Sequence, residues 1–352
     1  MSQANQLNSD SNQDIDYSDK YDELAEATLR HNHARLTHKA NRIRIKGSGK
    51  TQPTRREVLK SLADESDFVE DFIPTYAAGL DPKHFERRWV IESLSSFYRD
   101  KLISDVLSQV KVGKEANVYV CAGPKPESAE GESNDEPNHA NLIAAKLYRP
   151  RMFRHLRNDA AYKIGRLTHN REGKKVRRNS GIERAAKKKS NFGQDLEFSN
   201  WIGHEYRMQT KLYAAGADVP KPIAHAGNVI LMAFCGDQHM PASTLNDVHL
   251  DPAEAQPLFD QVLENIELML GLNLVHGDLS SYNILYWAGE ITIIDFPQMV
   301  DATVNPNAEK FLQRDVQRIV DYFTPYGVTA DSLDLSLNLW QRFMDGELTI
   351  LD

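Results

Sequence analysis

A chain of 352 residues with 41% apolar side chains is long enough for two packed units, and its two cysteines, Cys121 and Cys235, exclude a disulfide framework and point to a reducing compartment. No run approaches eighteen apolar residues, and the polar first twenty residues carry no signal-peptide pattern, so a cytoplasmic protein with no membrane contact is expected. The net charge of −8 is uneven: residues 1–30 and 127–136 are acidic, whereas residues 149–189 hold fifteen Lys/Arg against three Asp/Glu.

In chain order, residues 1–53 read as a polar, loosely structured segment. Within it Lys46-Gly47-Ser48-Gly49-Lys50-Thr51 imitates the end of a phosphate-binding P-loop, but Arg44 stands where that motif needs its first glycine and no apolar strand precedes it. Residues 54–108 read as a helical extension. Asp81-Pro82 supplies a helix start, and Val90, Leu94, Phe97, Leu102 and Val106 supply an apolar stripe. Residues 109–235 read as a small lobe rich in strands, with strands at 117–121 and 142–147, an acidic loop at 124–140, a basic insertion at 149–190, a helix at 194–215 capped by Gly216, and an apolar strand at 229–234. Residues 236–352 read as a mainly helical lobe. Asp251-Pro252 opens a helix with Leu258, Val262, Ile266 and Leu270 on one face, a hairpin turns at Ala288-Gly289, and helices fill 307–325 and 330–346. The sum is a two-lobed α+β protein with a ligand cleft between the lobes.

The chemistry concentrates in His276-Gly277-Asp278-Leu279-Ser280-Ser281-Tyr282-Asn283 and Ile294-Asp295-Phe296. An acid, an amide five residues on and a second acid twelve further form the layout of a phosphoryl-transfer site. Asp278 takes the proton, and Asn283 with Asp295 holds a metal ion between phosphate oxygens. Lys146 interrupts an apolar strand and needs a partner. Glu205, in the middle of the helical face Trp201, Met208 and Leu212, needs a cation. Pairing the two would aim Lys146 at the phosphates of ATP. Val112-Gly113-Lys114-Glu115-Ala116-Asn117 would cover those phosphates, with Lys114 as the charge and Asn117 as a second polar contact. The basic stretch offers a surface for an RNA backbone or reads as a solvated insertion, and its aromatic residues are too sparse for base stacking. The scattered histidines, His204 and His225 included, show no metal-ligand spacing.

Gly113-Lys114-Glu115-Ala116-Asn117-Val118-Tyr119, Lys146 with Tyr148-Arg149, Trp201 with Glu205-Tyr206-Arg207, Val275 through Asn283, and Ile294-Asp295-Phe296-Pro297-Gln298 together resemble the RIO family of atypical serine/threonine protein kinases, type 1 branch, over residues 85–325. The resemblance implies a bilobal kinase fold, ATP with Mg²⁺ or Mn²⁺, serine autophosphorylation and a role on the pre-ribosomal particle or its rRNA. It implies that Met232-Ala233-Phe234-Cys235 holds adenine through its backbone, and that Asp295 can itself accept a phosphoryl group. Lys111-Val112 departs from the family's Ser-Thr before Gly113, and the end at Asp352, without a long basic tail, implies a prokaryotic-type member. The bare His-Gly-Asp and Ile-Asp-Phe pattern also occurs in small-molecule phosphotransferases of the aminoglycoside and choline kinase type. A third reading is a protein that binds RNA or ribosomes and uses ATP as a conformational ligand. Gly277, where ordinary protein kinases carry Arg, implies that no phosphorylated activation segment controls the site.

Overall fold

The computed structural model describes residues 72–81, 85–113, 115–124, 141–149, 161–164, 166 and 191–348. The Asp81-Pro82 helix start, the P-loop imitation, the acidic loop and most of the basic stretch fall outside them. The chain divides into two compact units, residues 1–73 with 77–92 and residues 74–76 with 93–352. Helix α1 spans Thr75–Ala78 and α2 spans Phe85–Arg99, and Val90, Leu94 and Phe97 are buried.

The second unit opens with a five-stranded antiparallel sheet. Its strands are β1 (Asp105–Val112), β2 (Ala116–Ala122), β3 (Leu142–Tyr148), β4 (Pro222–Ala226) and β5 (Val229–Ala233), in the order β1-β2-β3-β5-β4. The helical reading of 54–108 therefore fails at its end. The α2 helix stops at Arg99, Lys101 takes a left-handed φ of 57°, and Val106 lies in β1 opposite Cys121. Helix α3 (Asn191–Ala214) packs on this sheet, with Trp201 and Ile202 buried against Tyr148 and Ile230.

The rest is mainly helical. Asp251 caps α4 (Pro252–Gly271) by accepting from the Ala253 amide, and Pro252 fills the first turn, where its missing N–H costs nothing. The expected face Leu258, Val262, Ile266 and Leu270 is buried in a core shared with α5 (Ala308–Phe323) and α6 (Ser332–Met344). Strands β8 (Ile284–Trp287) and β9 (Glu290–Ile293) join through Ala288 and Gly289, both at positive φ (53° and 90°), the backbone that a two-residue hairpin turn demands. The short strands β6 (Ser243–Thr244), β7 (Leu274–Val275) and β10 (Val300–Asp301) complete the lobe; β7 pairs with β10 and β6 with β8. No described helix is long and apolar enough to cross a membrane.

Candidate active site

The β8–β9 hairpin explains the spacing of the acids. Ile284 pairs with Ile293, so Asn283 and Asp295 emerge from the same end of the ribbon. The Asn283 carbonyl accepts from the Ile294 amide at 2.9 Å, and the Asn283 side-chain amide donates to the Asp278 carbonyl at 2.9 Å. One residue thus ties the Asp278 loop to the Asp295 strand. That donation also commits the Asn283 nitrogen, which leaves its side-chain oxygen as the ligand-binding atom. Asp295 has a φ of 74°, uncommon for a residue with a side chain and a frequent mark of a functional position.

Register places Lys146. It stands opposite Val118 on β2 and Ile230 on β5, so its side chain shares their face, the one that α3 covers. Its Nζ lies 2.7 Å from Glu205 Oε1 on α3 and 2.7 Å from Asp295 Oδ1. Burial alone would depress the Lys146 ammonium; Asp295 and Glu205 outweigh it and hold the pKa well above the usual lysine range. Burial pushes the Glu205 carboxyl up, while Lys146 and a hydrogen bond from the Tyr148 hydroxyl pull it back. Burial, then the Glu205 charge, drives the Tyr148 pKa well up, so its hydroxyl remains a donor. Asp295 is opposed by burial too, yet Lys146 lowers its pKa, and its side chain keeps 39% of its surface exposed, enough to meet a ligand.

The same register corrects the reading of Asn117. It sits one residue before Val118 and so faces the other side of the sheet from Lys146. There it is 3% exposed, accepts from Arg149 Nε and Nη2 at 3.2 and 3.0 Å, and donates to the Tyr119 hydroxyl at 3.3 Å. Asn117 braces the strand and does not point at phosphates. Gly113 forms the β1–β2 turn by donating to the Ala116 carbonyl at 3.0 Å, and an added Cβ would come within 2.5 Å of that oxygen. Val112 beside it is exposed; Lys114 lies outside the described residues. Met232 stands opposite Ala144, two residues from Lys146 and on its face. The Phe234 amide donates to the Leu142 carbonyl at 3.3 Å, so it is committed to the sheet; among the described residues no backbone carbonyl accepts from the Cys235 amide.

The Asp278 loop is held from beneath by α5, whose role the sequence reading missed. Asp315 is buried and accepts from the Gly277 amide at 2.7 Å and the Leu279 amide at 3.2 Å. Burial pushes its pKa up to about 7, against the pull of those amides. Arg314 donates to the Gly277 carbonyl, and Arg318 Nη1 donates to Asp278 Oδ1 at 2.8 Å. The signal was present: Asp315 sits within the buried stripe Phe311, Leu312, Val316 and Ile319, as Glu205 sits within its own. His276 accepts from the Asp278 amide on Nδ1 (3.3 Å), which makes Nε2 the protonated nitrogen facing the Ile294 carbonyl (3.3 Å). Burial lowers the His276 pKa, which keeps this neutral tautomer. Two further residues fix the segment after Asp295: Arg166 donates to the Pro297 carbonyl at 2.5 Å, and His204 lies 3.0 Å from the Met299 carbonyl.

Gly277 has a φ of 80°, and an added Cβ would stand 2.7 Å from the Gln298 carbonyl oxygen. Gly277→Ala should therefore lose about 2–3 kcal/mol of stability in urea denaturation, from left-handed strain plus the clash. For Asp315, a carboxyl whose pKa is raised in the folded state binds a proton that the unfolded chain has released. Its contribution is full below the unfolded value near 3.8 and fades as pH rises toward 7. The melting temperature of the wild type, measured relative to Asp315→Asn, should fall between pH 4 and pH 7 and level off above.

The RIO domain family profile matches residues 146–335, more than half of the chain. The chain belongs to the RIO domain family. It is 31% identical over 224 residues to the RIO-type serine/threonine-protein kinase Rio1 of Haloferax volcanii, covering 63% of this chain and 64% of that one. It is 34% identical over 131 residues to the Thermoplasma acidophilum Rio1, covering 37% and 67%, and 29% identical over 230 residues to human serine/threonine-protein kinase RIO1, covering 65% and 35%. The chain thus spans under two thirds of the Haloferax relative and about a third of the human one. Among solved structures, the Rio2 kinase from Chaetomium thermophilum is similar with a TM-score of 0.46 and 22% identity, over 80% of this chain and 77% of that one. The family's matched region holds Lys146, Glu205, Asp278, Asn283 and Asp295 together.

Proposed function

We propose that this chain is an ATP-dependent atypical serine/threonine protein kinase of the RIO type, with ATP hydrolysis as its companion reaction, acting in the cytoplasm. The observation that carries this reading is Lys146 bridging Glu205 and Asp295 at 2.7 Å each, beside a loop in which Asn283 is tied to Asp278. In the reaction the acceptor hydroxyl attacks the γ-phosphorus of ATP. Its proton goes to Asp278, the bond to the bridging oxygen breaks, and ADP leaves. Lys146 exchanges Asp295 for the phosphate oxygens while Glu205, held by Tyr148, keeps it aimed. The hard oxygens of Asp295 and Asn283 fit Mg²⁺ or Mn²⁺, with phosphates completing the shell; when bound, such an ion neutralises charge on the phosphates. Among the described residues no cluster of three or more His, Cys, Asp or Glu offers another metal site.

Asp295 is also the more exposed acid of the Lys146 pair, which supports a second use as phosphoryl acceptor, with a carboxylate oxygen bonding to phosphorus and ADP leaving. The basic stretch 149–189, with fifteen cations, supports rRNA or a pre-ribosomal particle as partner. Incubation with γ-labelled ATP tests the reading. Acid-stable label marks serine or threonine, hydroxylamine-labile label marks Asp295, and absence of both label and ADP overturns it. Release of ADP only with an added metabolite would favour a small-molecule phosphotransferase.

A further inference from the structure

Arg318 is a cation that the transfer chemistry does not itself require. Helix α5 already fixes the Asp278 loop through Arg314 and Asp315, which hold the Gly277 carbonyl and the Gly277 and Leu279 amides. Arg318 lies one turn further and touches the reactive carboxylate itself, at 2.8 Å. Its side chain is 39% exposed and that of Asp278 is 35% exposed, so both groups of the pair can be reached from solvent. A pair so exposed adds little to stability, so Arg318 is not held to Asp278 by the needs of the fold. A guanidinium carries five N–H donors in a planar fork; Asp278 Oδ1 accepts from Nη1, and the fork has the capacity to hold a second carboxylate beside it.

The surroundings make such a group decisive. Only twelve residues separate Asp295 from α5 at Ala308, and part of that segment is β10, paired to β7. Arg166 and His204 bind carbonyls within it. There is little chain here to build an extended peptide platform, so selection of an acceptor falls to the side chains that flank Asp278. We propose that Arg318 is a specificity-determining residue that selects a serine or threonine with an acidic residue beside it in a polypeptide. The acceptor hydroxyl meets Asp278 while the neighbouring carboxylate meets the guanidinium. This rests on the phosphoryl-transfer reading above.

The test measures binding and transfer separately. Fluorescence anisotropy compares two labelled peptides, one with serine flanked by glutamates and one with serine flanked by lysines, on the full chain with ATP analogue and Mg²⁺. The wild type should hold the glutamate peptide about fivefold more tightly, the upper range for one exposed charge pair. Arg318→Gln should remove that preference, and Arg318→Lys should restore most of it. In transfer assays the loss in Arg318→Gln should appear in KM for the glutamate peptide more than in kcat. A wild type that holds the two peptides equally, or holds neither, overturns the proposal. So does an Arg318→Gln variant that keeps the preference or weakens both peptides alike. Failure of the phosphoryl-transfer reading is seen independently, as no label and no ADP from the wild type.

Discussion

Lys146→Met should lower the stability of the chain by about 2–4 kcal/mol and cut ATP turnover on the order of 10²–10³-fold. The two losses have different origins. The Glu205 side chain is only 2% exposed, and Lys146 is the cation that offsets its burial. Removing one partner of a buried pair typically costs about 3–5 kcal/mol, because the other charge is stranded. Here the cost falls around and below the lower end of that range. The Tyr148 hydroxyl still donates to Glu205, and a carboxyl already pushed up by burial can take a proton. Asp295 also loses its partner but is 39% exposed and can turn to water. The double variant Lys146→Met/Glu205→Leu should recover most of the stability, since a matched apolar pair suits the site beside Trp201, Ile202 and Ile230. It should recover none of the turnover, because the Lys146 ammonium that meets the phosphates is still missing. Urea denaturation and ADP release on the three proteins separate the effects. A single variant as stable as the wild type would show that Glu205 does not depend on Lys146.

Much of the site was legible because it is local or because it breaks a pattern. The hairpin spacing from Asn283 to Asp295 follows from two four-residue strands, a two-residue turn and Ile294. Lys146 and Glu205 each interrupt an apolar face, and burial demands that such residues find each other. Asn117 was misread because facing is a matter of register: one residue along β2 separates Val118, on the Lys146 face, from Asn117, on the other, and pairing fixes that parity only when the neighbouring strand is known. The start of β1 was read as helix because Leu102 and Val106 happen to continue the spacing of Val90, Leu94 and Phe97 past the left-handed residue Lys101. Strand β4, with its half-buried and exposed residues around Pro222, carries no alternation strong enough to be seen. Arg314 and Arg318 were invisible for a different reason. A surface arginine on an amphipathic helix has no signature until the loop it grips is in place, whereas Asp315 could have been found by the argument applied to Glu205.

Asp278→Asn should abolish phosphoryl transfer to hydroxyl acceptors by about 10²–10⁴-fold while leaving the fold intact. The substitution is nearly isosteric. Arg318 can still donate to the remaining side-chain oxygen, the loop amides stay on Asp315, and Asn283 binds the Asp278 backbone carbonyl, which is unchanged. What disappears is the capacity to take a proton. Asp295→Asn should fail differently. It removes a charge that Lys146 and a bound metal ion both answer to, so ATP affinity should fall along with turnover. If Asp295 is itself the phosphoryl acceptor, its Asn variant should lose all hydroxylamine-labile label, whereas Asp278→Asn should retain such label and lose only the acid-stable kind. Attack by a carboxylate releases no proton, so it needs no base. The two variants therefore sort the site into two reactions sharing one nucleotide. Equal loss of both kinds of label in both variants would mean that Asp278 positions ATP as well as accepting a proton, and would join the two reactions into one.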